Sequence, residues 1–203
     1  MARGDGGAYF KLMIALRLAL VVSLLLPVVA AARDHEVARQ VMYGGACVGC
    51  DLSGRKMLGG RFYGANFSNA VLTAADLRGA AFRGAAFGGA DLSDADARGA
   101  TLLGSNFDSA KFRRAHLEGL IAKGAQFSHA DFTNAHLRDA EMIAVDLTDA
   151  RFQNADLTGV RFSHTILHGA DLSEARGLTS NQITTSCIDK ATRLPRGVVG
   201  RVC

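Results

Sequence analysis

Cysteine and histidine are the side chains of this sequence best suited to chemistry. Cys47-Val48-Gly49-Cys50 sets two thiols three residues apart. Such a pair serves as a redox motif, as half of a zinc site or as a structural bridge. Cys187 and Cys203 complete the set, and four cysteines allow three pairings. No thioredoxin-like βαβ pattern surrounds Cys47 and Cys50, and no second ligand pair follows them, so a structural role is the favoured reading. A redox or metal-binding protein is the alternative. His116 and His136 are twenty residues apart, and Asp76, Asp96 and Asp156 fall on the same spacing. His129, His164 and His168 show no such alignment. No Ser-His-Asp arrangement, phosphate-binding glycine loop or HExxH motif is present. The chain therefore reads as a non-enzyme that needs no cofactor.

Composition narrows the scaffold that holds these residues. The 203 residues include 23 Gly, 2 Pro and no Trp, and 49% are hydrophobic but only 7% aromatic. That apolar fraction excludes intrinsic disorder. The glycines argue against a helical bundle, since each costs about 1 kcal/mol inside a helix. Residues 1–32 read as a secretory signal peptide: Arg3, Lys11 and Arg17, then the apolar stretch Leu18 to Val29, then Ala30-Ala31-Ala32 before the cut. The stretch is short of the roughly 20 residues of a spanning helix, so no membrane span is expected after cleavage. The expected location is the periplasm or the extracellular space.

From Cys50 the sequence divides into consecutive fives such as ANFSN, ADLRG, AAFRG and ADLSD, ending in ADLSE at 170–174. Leu or Phe holds most of the middle positions, here called i. Ala dominates i−2, polar residues i−1 and i+1, and Gly, Asn or Asp i+2. Neither regular element accepts a period of five. On a helix it advances about 500° and spirals the leucines over every face. On a flat strand an odd period sends them to alternate sides. The chain must turn once per pentad, and regular turning builds a solenoid.

The A-D/N-L-x-x pattern over 45–176 resembles the pentapeptide-repeat family. The resemblance implies an all-β solenoid, a right-handed quadrilateral β-helix with four pentads per coil, so that residues twenty apart stack. Phe67, Phe87, Phe107 and Phe127 would then form an interior ladder. Ala122, a small middle, is balanced by the large i−2 residue Leu120. Short helical caps are expected at both ends, over 33–44 and, from the Thr179-Ser180-Asn181-Gln182 capping box, near 180–187 within a C-terminal cap of 177–203. A rod of roughly 30 Å separates its ends too far for one disulfide to span. That favours Cys47–Cys50 and Cys187–Cys203. The His116 and His136 column would lie on one face, as a metal site or a solvated polar ladder.

The net charge of +4 and pI of about 9.1 suggest nucleic acid until the charges are placed. Residues 50–176 carry fourteen Lys and Arg against fifteen Asp and Glu, a net of −1. Some cytoplasmic members of the family are DNA mimics that bind gyrase through an acidic rod. Duplex DNA carries one charge per about 1.7 Å, which a neutral rod does not imitate, so this is the weaker alternative. No nucleic-acid partner is expected. One side, with Phe62 and Phe82 as middles, would expose Leu103, Ile121 and Ile143 rimmed by Arg83 and Lys123. An apolar cluster with a basic rim suits a protein contact. The reading is a scaffold for an unknown protein partner or for a second copy of the chain.

Overall fold

The structure is a computed structural model and describes residues 45–203. The expected N-terminal helix and the signal peptide lie outside the described residues. Every i+2 residue from Gly49 to Gly169 has φ between 52° and 73°. This left-handed conformation costs an ordinary residue about 1–2 kcal/mol. Asn and Asp tolerate it through local hydrogen bonds. Ala74, Ser109, Arg114 and Ala144 adopt it as well, so the stacking outweighs the local cost. At most corners the i−2 amide of the next pentad closes the turn onto the preceding middle carbonyl, as in Ala70 N–H to Phe67 O at 3.0 Å.

Each turned pentad stacks on the one twenty residues later. Phe67 N–H donates to Ala86 O at 2.7 Å, and Ala86 N–H donates back to Ala65 O at 2.9 Å. Parallel bridges of this kind run in columns through Ala46, Asn66 and Ala86, through Asp51, Val71 and Asp91, and through Lys56, Asp76 and Asp96. The fourth column widens into a six-stranded parallel sheet: β1 (Arg61–Tyr63), β2 (Ala81–Arg83), β3 (Thr101–Leu103), β4 (Ile121–Lys123), β5 (Glu141–Ile143) and β6 (Arg161–Ser163). Four pentads thus complete one coil.

The lumen is filled by middles and small i−2 residues. Phe67, Phe87, Phe107 and Phe127 stack at 4.8, 4.6 and 5.1 Å between centroids. Phe112, Phe132 and Phe152 form a second stack at 5.0 and 4.9 Å. Phe62 and Phe82 meet the first stack edge-on. Such pairs add about 0.5–1.5 kcal/mol each beyond area burial. Leu120 and Ala122 are both buried, so the exchanged volumes share one pentad.

Two hydroxyls stand where alanine is the rule. Ser105 and Thr165 are buried i−2 residues at the corner that follows the sheet. Ser105 Oγ accepts from Ala85 N–H at 3.1 Å, and Thr165 Oγ1 donates to Met142 O at 2.7 Å. They satisfy backbone groups of the coil below, which would otherwise be costly in an apolar lumen.

The C-terminal helix is shorter than expected. It is a single 3-10 turn, Ser180–Ile183, and Cys187–Ile188 forms strand β7. The backbone of Cys187 is required elsewhere: its N–H donates to Thr165 O and its carbonyl accepts from Leu167 N–H, both at 2.8 Å. The intervening Thr184-Thr185-Ser186 also favours helix weakly. Gln182 Oε1 accepts from Thr179 N–H at 2.7 Å, and its Nε2 donates to the carbonyls of Leu157 and Val160, each at 2.9 Å. One amide thereby caps two upward carbonyls of the last coil. Leu178 and Ile183 are buried against it. Strand β8 (Arg201–Val202) pairs in parallel with β7.

Candidate interaction face

Three sides of the solenoid largely satisfy their own polar groups. Asp at i−1 accepts from the amide and hydroxyl at i+1: Asp131 Oδ1 from Thr133 at 3.0 and 2.6 Å, Asp156 from Thr158 at 3.1 and 2.6 Å, Asp171 from Ser173 at 3.2 and 2.6 Å. The hydroxyl bonds hold the Asp156 and Asp171 carboxyls below their ordinary range. At Asp131 burial pushes upward, but the Thr133 bonds and the Arg113 guanidinium outweigh it.

The His column lies on one of these sides. Bridges join Asp76, Asp96, His116, His136 and Asp156 in order. The two imidazoles stack at 5.0 Å with planes 9° apart. Their flanking carboxylates are engaged: Asp96 with Arg98 at 2.6 Å, Asp156 with Thr158 and with Arg138 at 3.4 Å. His116 Nδ1 is 3.5 Å from Glu118. Among the described residues no group of His, Cys, Asp and Glu is arranged to hold a metal ion. The column is a polar ladder.

The sheet side is different in kind. Its outward residues are Arg61 and Tyr63, Ala81 and Arg83, Thr101 and Leu103, Ile121 and Lys123, Glu141 and Ile143, Arg161 and Ser163, in the registers of β1 to β6. Leu103, Ile121 and Ile143 lie on three successive coils and are half-buried by their neighbours, not fully exposed. Tyr63 is 50% exposed. Glu141 lies between two bases, 3.6 Å from Lys123 and 2.9 Å from Arg161. Lys123 is therefore paired, and the rim is less basic than its composition indicates. Among the described residues Arg61 and Arg83 have no acidic partner.

Beyond β6 the sheet ends in a cleft of about 300 Å³ lined by Arg161, Phe162, Ser163, Asn181, Gln182 and Thr184. The i−1 and i+1 periodicity puts the outward residues of β1–β6 on one side, and the sheet registers do the same. That periodicity did not reveal Gln182 as the cap of the last coil. Ser105 and Thr165 were detectable as polar i−2 residues in one column, sixty residues apart.

The cysteines sit at the two ends of the described solenoid. Cys47 is buried as the first middle of its column and is bridged to half-buried Cys50, Cα atoms 5.3 Å apart. Cys187 is bridged to Cys203 at 5.6 Å. A bridged pair offers no thiolate to a metal.

Stacked five-residue turns with ladders of Leu and Phe inside define a β-solenoid of pentapeptide type. The chain belongs to the pentapeptide-repeat family: the family described as "Pentapeptide repeats" matches in eight copies over 47–84, 75–114, 110–149 and 140–176. No curated protein matches the chain. Among solved structures it is similar to two trypsin-treated forms of QnrB1, a plasmid-mediated fluoroquinolone resistance protein. Identity is 21% in both, over 73% of this chain and 82% or 81% of that one, with TM-scores of 0.50 and 0.51. HetL of the cyanobacterium Nostoc is 22% identical over 78% of this chain and 84% of its own, with a TM-score of 0.30. These likenesses concern the fold. Among the described residues no helix is long and apolar enough to cross a membrane.

Proposed function

We propose that this protein is an exported, non-catalytic scaffold that binds a protein partner through the β1–β6 face. The observation that carries the reading is the contrast between sides. Three mostly bind their own polar groups in Asp-to-hydroxyl and ion-pair ladders and expose single apolar residues such as Leu58, Val71 and Ile166. The sheet groups Tyr63 with half-buried Leu103, Ile121 and Ile143, beside Arg61 and Arg83, which have no acidic partner among the described residues. A flat apolar strip with a partly basic rim suits a partner surface that is apolar at its centre and acidic at its edge. The pentads run without an inserted loop, and loops are where catalytic groups usually ride. That supports the non-catalytic reading. Export is supported by the leader-like residues 1–32 and by two disulfides, which persist in oxidising compartments. The right-handed winding is inferred from the family resemblance.

Ile121→Asp tests the face. The variant should stay folded, with a modest fall in melting temperature because Ile121 is half-buried beside Glu141. It should lose association, measured by light scattering for self-association and by native pull-down for other proteins. Unchanged association in both would remove the face from consideration. Sequencing the N-terminus of protein recovered from the medium or envelope tests export, with a start just after Ala32 expected.

A further inference from the structure

We propose that the Cys187–Cys203 disulfide is a redox-responsive latch on the C-terminal cap, opened by exchange with a thiol reductant and assisted by His168. The site is distinct from the β1–β6 face. Three observations carry it. Cys203 is exposed, whereas Cys187 is half-buried in the last coil. His168 Nε2 lies 3.4 Å from Cys187 Sγ. A bridged sulfur has no proton, so a hydrogen bond here runs only from an imidazole N–H to sulfur, which the Nε2-protonated tautomer supplies. The same N–H is placed to stabilise the charge that develops on Cys187 when the bridge breaks.

The third observation is how unequally the cap is held. Residues 187–193 are tied to the solenoid without help from the bridge. Cys187 N–H bonds Thr165 O, Asp189 accepts from Gly169 N–H at 2.9 Å, Thr192 Oγ1 donates to Leu167 O at 2.8 Å, and Arg193 N–H donates to Ala170 O at 2.9 Å. The segment 194–203 relies on the β7–β8 pair, on Cys203 N–H to Ile188 O at 3.2 Å, on Val199 N–H to Ser180 Oγ at 2.9 Å, on Leu194 and Val198 packed in part against the core, and on the disulfide. It covers buried Ile183 and Ile188: a Cβ added at Gly200 would lie 3.0 Å from Ile188 Cδ1 and 3.2 Å from Ile183 Cδ1.

A thiolate of the reductant attacks exposed Cys203 Sγ. The bond to Cys187 breaks, and its electron pair stays on Cys187 Sγ as a thiolate beside the His168 N–H. The mixed disulfide on Cys203 is then attacked at the reductant's sulfur by a second reductant thiol, which for a monothiol comes from a second molecule. Cys203 leaves as a thiolate, both cysteines take protons from solvent, and the reductant departs oxidised to its own disulfide. Two electrons are transferred. Segment 194–203 is released, and the apolar end of the solenoid at Ile183 and Ile188 is uncovered.

Glutathione is the probe, with the oxidised full chain quenched by alkylation and mapped by peptide mass spectrometry. The first mixed disulfide should form on Cys203. Cys187–Cys203 should open about tenfold faster than Cys47–Cys50, the internal reference, whose Cys47 is buried. His168→Gln should slow opening of Cys187–Cys203 about tenfold, the loss of one charge-assisted hydrogen bond, and leave the Cys47–Cys50 rate unchanged. Reduction should raise amide exchange at 183, 188 and 194–203 while 165–172 stays protected. A mixed disulfide on Cys187, equal opening rates for the two bridges, unchanged exchange on reduction, or His168→Gln opening as fast as or faster than wild type would each overturn the proposal. The last also separates a purely structural role for His168, since a loosened cap opens faster.

Discussion

At the corners, one residue in five accepts a conformation most side chains avoid, and glycine relieves the cost differently by position. A Cβ at Gly99 meets nothing within 4 Å, whereas at Gly177 it would lie 2.8 Å from Thr158 N and 2.9 Å from Thr158 Cα. Gly99→Ala should therefore cost about 1 kcal/mol in urea unfolding, the backbone strain alone. Gly177→Ala adds a clash with backbone and should cost several times more, loosening the last coil. Inside the lumen the exchanged pair gives a second expectation. Leu120→Ala should cost about 2–5 kcal/mol. Leu120→Ala with Ala122→Leu restores the volume and should recover at least half of it. A double variant as unstable as the single one would show that the two sites do not share space. Thr165→Val, which removes the buried hydroxyl's bond to the Met142 carbonyl, should cost about 1 kcal/mol.

The C-terminal cap is the element where sequence and structure part. The pentad register was legible because a period of five admits one economical solution, a turn per pentad with i and i−2 inside. Thr179 and Gln182 were legible as a helix start. The length of that helix was not, since Cys187 is taken into the ladder by Thr165 and Leu167, contacts that local sequence does not record. His168 beside Cys187 was hidden for the same reason: the 21-residue step from Ile166 to Cys187 breaks the twenty-residue register. Asp189 fastens the cap. Bonds from Gly169 N–H first, then from Thr192 and Ala191, lower its pKa from 3.8 to about 2. A carboxylate whose folded value lies below its unfolded one stabilises fully above the unfolded value and loses that contribution as pH falls through the folded one. Amide protection of 189–193 should hold at pH 5 and decline between about pH 4 and 2. Asp189→Ala should show the weakened cap already at pH 5, by hydrogen exchange. Equal protection of the variant and wild type at pH 5 would remove Asp189 from this role.

Across the whole solenoid each coil touches only its neighbours, so stability is close to a sum over coils and their interfaces. On the proposed reading the partner binds a side of the stack, since the lumen is closed by Phe and Leu. The sides differ as described: three are mostly self-bonded with single exposed apolar residues such as Leu58, Val71 and Ile166, and one is a six-stranded sheet with a half-buried apolar strip. The pentad register alone disclosed which residues share each side. It did not disclose that Glu141 takes up Lys123 and Arg161, because ion pairing depends on rotamers reaching across coils. Function on such a fold resides in the face and not in the coil itself. The most direct measurement places a photo-crosslinking phenylalanine analogue at position 143 on the sheet side, and in a separate protein at position 113 on a polar side, in the producing cells. Discrete adducts are expected from 143 that vanish when Ile121→Asp is added, with none from 113. The same adducts from both positions, or adducts from 143 that survive Ile121→Asp, would contradict it.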